Sequence, residues 1–203
     1  NKGQIGAVDS KLGNVAVGSS GKTQQNAGNL VGNEGTIESL TAGTSVTIYR
    51  NTGRVGALDA QTSVTIGQGN NASADVRAYN VNSGSVGSVS AGTTVGIYGG
   101  VAQGSVAAGE GELVKAGTSV TVGTATVQNA NTVGDIEAGT SVSIYNAAQG
   151  STGAVEAGTT VSIGTSALLN EGDIGTVTAG DSAGTTVTVY NGGAEIGDIS
   201  AKS

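Results

Sequence analysis

One motif runs through the chain: a small residue, then Thr-Ser/Thr-Val-x-Ile/Val, closed by Tyr or Gly. Its copies are AGTSVTIY ending at Tyr49, AQTSVTIG at Gly67, AGTTVGIY at Tyr98, AGTSVTVG at Gly123, AGTSVSIY at Tyr145, AGTTVSIG at Gly164 and AGTTVTVY at Tyr190. A weaker copy, SKLGNVAVG, ends at Gly18, and shorter Ile-Gly-x-Val segments such as IGAV at Ile5, VGAL at Val55 and IGTV at Ile174 precede the motif. Each copy alternates with period two, so Val46 and Ile48 face one way while Ser45, Thr47 and Tyr49 face the other. A unit this short cannot bury its apolar face alone, so successive units must stack on one another.

The closing residue alternates in chain order: Gly18, Tyr49, Gly67, Tyr98, Gly123, Tyr145, Gly164, Tyr190. The true repeat is therefore a pair of motifs, with the tyrosines 49, 47 and 45 residues apart. The predicted fold is all-β: one parallel β-solenoid spanning 1–203, of about eight rungs arranged as four double-rung repeats of about 47 residues. A right-handed course is favoured, because the paired short and long segments fit poorly to strict hexapeptide rounds. With strands ~4.8 Å apart, eight rungs make a rod on the order of 40 Å long. The Asn-, Gln-, Gly- and Ser-rich stretches near 19–35 and 68–84 read as loop insertions leaving the scaffold.

Composition agrees and excludes several functions. There are 37 glycines, no Pro, Cys, Met, Trp, Phe or His, and only five tyrosines. A narrow interior filled by Val, Ile, Ala and Leu suits this set, whereas a core built on aromatic rings does not. Absence of His and Cys removes the Ser-His-Asp and Cys-His arrangements and the imidazole and thiolate metal ligands. No apolar run approaches the ~20 residues of a membrane helix, so membrane insertion is not expected. Net charge is -7, unevenly placed. Residues 1–100 carry six basic groups against five acids, and residues 101–203 carry two (Lys115, Lys202) against ten. Nucleic acid is thus an unfavourable partner.

The phrases GTIESLTAGTSVTIYRN, GDIEAGTSVSIYNAAQG and GAVEAGTTVSIG resemble the repeats of filamentous-haemagglutinin-type and autotransporter adhesins. That resemblance implies a secreted, right-handed β-helix at the cell surface. GDIEAG followed by a β-branched strand also resembles bactofilin-type cytoskeletal filaments, which polymerise by stacking solenoid ends. The expected function is structural: an extracellular subunit of a surface fibre, or a segment of an adhesin stalk, stacking end to end with copies of itself and offering a surface to a host or matrix. Solenoid ends without a polar cap are open sheet edges, and the charge imbalance favours head-to-tail contact.

Other candidate residues follow from the repeat. Ser45/Thr47, Ser63/Thr65, Ser119/Thr121, Ser141/Ser143, Thr160/Ser162 and Thr186/Thr188 should form two outward hydroxyl columns, interrupted at Gly96, on a flat face. Such a face supports an alternative function, binding to ice or another ordered surface, by analogy with the Thr-x-Thr arrays of antifreeze solenoids. Tyr49, Tyr98, Tyr145 and Tyr190 occupy every second rung, ~9.6 Å apart, too far for direct ring stacking but suited to packing over glycine or to docking of neighbouring rods. Asn71 heads the sequon Asn71-Ala72-Ser73 and is a candidate glycosylation site. The acid pairs Asp135/Glu137 and Glu110/Glu112 read as solvated carboxylates, not as a catalytic dyad. The acids follow no calcium-binding repeat, and neither a metal, a cofactor nor an enzymatic activity is expected.

Overall fold

The computed structural model describes residues 1–18, 32–67, 84–98, 107–124, 128–130, 132–180 and 184–201, with only the backbone of 107–112. All described regular structure is β, and every pairing between named strands is parallel. The first coil holds β1 (Gln4–Ser10) and β2 (Val15–Val17), the second β3 (Thr36–Ala42) and β4 (Ser45–Ile48), the third β5 (Arg54–Ala60) and β6 (Ser63–Ile66). The fourth holds β7 (Ser85–Val86), β8 (Val89–Ala91) and β9 (Thr94–Ile97), and the fifth β10 (Ala107–Ala116) and β11 (Ser119–Val122). The sixth has β12 (Thr132–Ala138) and β13 (Ser141–Ile144), and the seventh β14 (Ser151–Thr152), β15 (Val155–Ala157) and β16 (Thr160–Ile163). The eighth has β17 (Asp173–Ile174), β18 (Val177–Ala179) and β19 (Thr186–Val189), and β20 (Ile199–Ala201) opens a ninth.

These strands form two sheets of a β-solenoid. Sheet A runs β1-β3-β5-β7-β10-β12-β15-β18-β20, with β8, β14 and β17 beside that path, and sheet B runs β2-β4-β6-β9-β11-β13-β16-β19. One sheet thus counts nine levels and the other eight, against the eight rungs expected. The inward residues are those assigned by period two. Val46, Ile48, Val64, Ile66, Val161 and Ile163 of sheet B face Leu40, Leu58, Val89 and Val177 of sheet A, all at 0–1% exposure. This single aliphatic stack is the core.

The Gly/Tyr alternation is one column in space. Backbone N–H groups of Tyr49, Gly67, Tyr98, Gly123, Tyr145, Gly164 and Tyr190 each donate to a carbonyl of the coil before, at 2.7–2.9 Å. Gly18, Gly67, Gly123 and Gly164 have φ of +86°, +81°, +68° and +65°, a conformation that a Cβ disfavours. After each of these glycines the chain carries an inserted segment, whereas Tyr49, Tyr145 and Tyr190 reach Asn51, Asn146 and Asn191 within two residues. Glycine turns the chain off the strand line, and Tyr49, Tyr145 and Tyr190 keep it in line, whereas Tyr98 is followed by a longer link to β10. A second glycine requirement is close approach at the corner before sheet B, where a Cβ on Gly139 or Gly158 would strike the carbonyl oxygen of Gly117 or Gly139 on the adjacent coil.

The entry to sheet A holds a feature absent from the sequence expectations: a ladder of buried asparagines. Asn33, Asn51, Asn129, Asn146 and Asn170 are 0–1% exposed. Asn1 Nδ2 donates to Asn33 Oδ1 at 2.9 Å, Asn33 Nδ2 to Asn51 Oδ1 at 2.8 Å, and Asn51 Nδ2 to the Ser85 carbonyl at 3.2 Å. A second run repeats this: Asn129 Nδ2 donates to Asn146 Oδ1 at 2.8 Å, and Asn170 Oδ1 accepts from the Asn146 N–H at 3.3 Å. These buried amides are satisfied by one another, by Thr152 Oγ1, or by backbone groups of the adjacent coil, as burial demands. The fifth coil breaks the ladder, since no asparagine lies between Asn82 and Asn129. Most of the insertion expected near 19–35 and 68–84 lies outside the described residues. Its described end in the first case, Gly32–Gly35, belongs to the scaffold, with Asn33 bridged to Asn51.

Candidate functional site

The outward positions of sheet B form the most regular surface of the molecule. Ser45, Ser63, Thr94, Ser119, Ser141, Thr160 and Thr186 are successive partners across the strands, and so are Thr47, Thr65, Gly96, Thr121, Ser143, Ser162 and Thr188. All twelve hydroxyl residues singled out from the sequence therefore stand in two columns, one of them interrupted at Gly96. Ten are partly exposed, and Thr186 and Thr188 on the last coil are exposed. On the first coil the columns continue as Asn14 and Ala16, with the Ser45 hydroxyl donating to Asn14 Oδ1 at 2.9 Å.

The gap at Gly96 is filled from its own coil. A Cβ placed there would lie 2.7 Å from Cε2 and Oη of Tyr98, so the Tyr98 ring, just past the end of β9, lies across the missing side chain. The ring covers a glycine, as one sequence reading held, but within its own coil and not on the intervening rung. Tyr49, Tyr98 and Tyr145 are partly buried and Tyr190 is 40% exposed at the open edge. Together they make a third column along one margin of this face.

The face carries no charge. The eight six-residue segments 13–18, 44–49, 62–67, 93–98, 118–123, 140–145, 159–164 and 185–190 contain no Asp, Glu, Lys or Arg. Every ionisable carboxylate and amine therefore belongs to sheet A, the corners or the insertions. On sheet A, Lys115 Nζ donates to Glu137 Oε1 at 2.6 Å on the exposed surface. Asp135 Oδ1 accepts the Ala154 N–H at 2.8 Å, covering an amide where the strand breaks between β14 and β15. Asp135 and Glu137 thus bind neighbouring coils separately, and among the described residues no third acidic group joins them. Asp173 Oδ1 likewise accepts the Glu195 N–H at 3.0 Å. Among the described residues no group of three or more Asp or Glu side chains could hold a metal ion. Asn71, Asp181 and the side chains of Glu110 and Glu112 lie outside the described residues.

A second candidate surface is the pair of open edges. At one end the outer edges of β1 and β2 are unpaired among the described residues, and at the other those of β19 and β20. Core positions are uncovered there: Ile5 is 39% exposed where its partner Ile37 is 4%, and Ile199 is 49% exposed where Val177 is 0%. Leu12, at 94%, stands at the same edge as Ile5. Neither a protein-family model, nor a curated protein, nor a solved structure matches the chain, so both surfaces are read from their geometry.

Proposed function

We propose that the protein is a structural rod of a surface fibre or adhesin stalk, acting outside the cell and lengthening by end-to-end stacking with copies of itself. The observation that supports this reading is the in-register parallel stacking of successive coils, which leaves core positions uncovered on the first and last described coils. Ile5, Leu12 and Ile199 are exposed on the first and last described coils, and a further coil laid on either would cover that apolar surface and extend the ladders of β1 or β20. Direction follows from charge: residues 1–12 hold Lys2 and Lys11 against Asp9, while residues 191–203 hold Glu195 and Asp198 against Lys202. Opposite signs meet only when unlike ends meet. Negative-stain electron microscopy with sedimentation velocity tests it. Unbranched filaments with an axial repeat near one chain length are expected, and short rods at every concentration and salt would overturn the reading.

A second reading, adsorption to ice or another ordered surface through sheet B, is favoured by the continuous register of the two hydroxyl columns. A thermal-hysteresis assay tests it, and freezing behaviour equal to that of a charged control protein would remove it.

A further inference from the structure

We propose that two rods pair face to face through sheet B, in antiparallel order, about a two-fold axis between the fourth and fifth coils. This contact uses a different surface from end-to-end stacking and stands independently of it. Three observations carry it: neutrality, self-complementarity and area.

A chain of net charge -7 repels its own copies at most approaches. Sheet B is a broad face on which that repulsion has no local source, because its segments hold no Asp, Glu, Lys or Arg. Its outward groups are hydroxyls, each both donor and acceptor, so one copy of the face can satisfy another. Both faces carry the same ~4.8 Å ribs, which lets rows of Thr and Ser interdigitate at the ~10 Å spacing of packed sheets. The Tyr98 ring, lying across Gly96, closes the one hole in the columns near the proposed axis.

Six residues at ~3.3 Å across eight coils at ~4.8 Å give a face of about 20 by 38 Å, or roughly 750 Å², close to the ~800 Å² per partner of a standard interface. Order follows from the charge halves. Residues 1–100 sum to +1 and residues 101–203 to -8. Parallel pairing sets the two acidic halves side by side, while antiparallel pairing sets each against a nearly neutral half. A two-fold contact of this kind closes on itself and stops at two rods.

The chain has no cysteine, which makes the order directly readable. In the antiparallel pair the second coil faces the seventh. With a bismaleimide of about 10 Å reach, T47C should cross-link to S162C and neither variant to itself. Self-linking of T47C, or no cross-link at all, would overturn the proposal. In sedimentation velocity the parent should show a concentration-dependent dimer, and T121E/S143E should weaken it at least tenfold while its circular dichroism and melting match the parent. A parent that stays single-width up to about 1 mM, or a folded double variant that pairs as well as the parent, would also overturn it. Loss of face pairing halves filament width and spares length, whereas loss of end stacking leaves short paired rods. The two readings therefore fail separately.

Discussion

Sheet B keeps one-to-one register across all eight strands, whereas sheet A splits its strand in two on the fourth, seventh and eighth coils and shifts register within β10 between Ala108 and Leu113. The splits fall at Gly87-Ser88, Gly153-Ala154 and Gly175-Thr176, although Gly6, Gly56 and Gly134 lie within unbroken strands. On sheet B the repeat lies in the side chains, as Val-x-Ile pairs stack directly on their like. On sheet A it lies in a buried asparagine at the strand entry, amide to amide, and the middle of the strand is free to vary. The large insertions lie between the exit of a sheet B strand and the entry of the next sheet A strand, outside both ladders. A solenoid can therefore hold a uniform face and an irregular one on the same pitch, because each has its own device for fixing register.

Asn146 and Ile144, two residues apart and both 0% exposed, set the two devices against each other. Asn146 accepts from Asn129 and donates to Thr152 Oγ1 at 3.1 Å. Asn146→Asp keeps the shape and the acceptor but loses that donor and places a carboxylate in a dry site. A loss of about 3–5 kcal/mol at pH 7 is expected. The sign with pH is fixed: burial raises the folded-state pKa above the ordinary carboxylate value of about 4. The variant therefore approaches the parent below about pH 4 and loses ground as pH rises through its folded-state pKa. Urea unfolding of both proteins at pH 7 and pH 3.5 reads this directly. A gap independent of pH would mean that the ladder is wet.

Ile144→Ala removes a side chain stacked between Val122 and Ile163. A cost of about 3 kcal/mol is expected, the same at both pH values, because only transfer and cavity terms change. Below pH 4 the order of the two variants should thus invert. A loss under about 1 kcal/mol would show that neighbouring coils collapse onto the space, and that sheet B is less closely packed than its register suggests.

These two residues also mark what could be read from the sequence. Val46-Thr47-Ile48 and its copies declare period two, and from that followed both faces of sheet B, its core and its hydroxyl columns. The alternation of Gly18, Tyr49 and their successors gave the double repeat. The asparagine ladder is not legible in the sequence, because an isolated Asn near Gly has the chemistry of a turn. Its signal was the recurring Asn-x-Gly of Asn1-Lys2-Gly3, Asn33-Glu34-Gly35, Asn51-Thr52-Gly53 and Asn170-Glu171-Gly172. Asn129 and Asn146 lack that glycine, so only the fold identifies them. The splitting of sheet A was not legible either, since Gly56 lies within an unbroken β5 while Gly87 interrupts its strand.

The smallest expected effect concerns the one irregularity of sheet B. Gly96→Thr restores the missing hydroxyl and a β-branched side chain in a strand, which favours the fold. Its Cβ displaces the Tyr98 ring, but the atoms it meets are the far end of a mobile side chain, so the ring can swing aside. The two terms oppose each other, and a net change within about 0.5 kcal/mol is expected. The informative quantity is the coupling with Tyr98→Ala. In the parent that truncation uncovers Gly96 and the strand beneath it, at a cost of about 1 kcal/mol. With threonine already present the ring has no glycine to cover, and most of that cost should vanish, giving a coupling of at least about 0.5 kcal/mol in a double-mutant cycle. Additive variants would place the ring's contribution elsewhere, and the flatness of sheet B at its centre would then owe nothing to Tyr98.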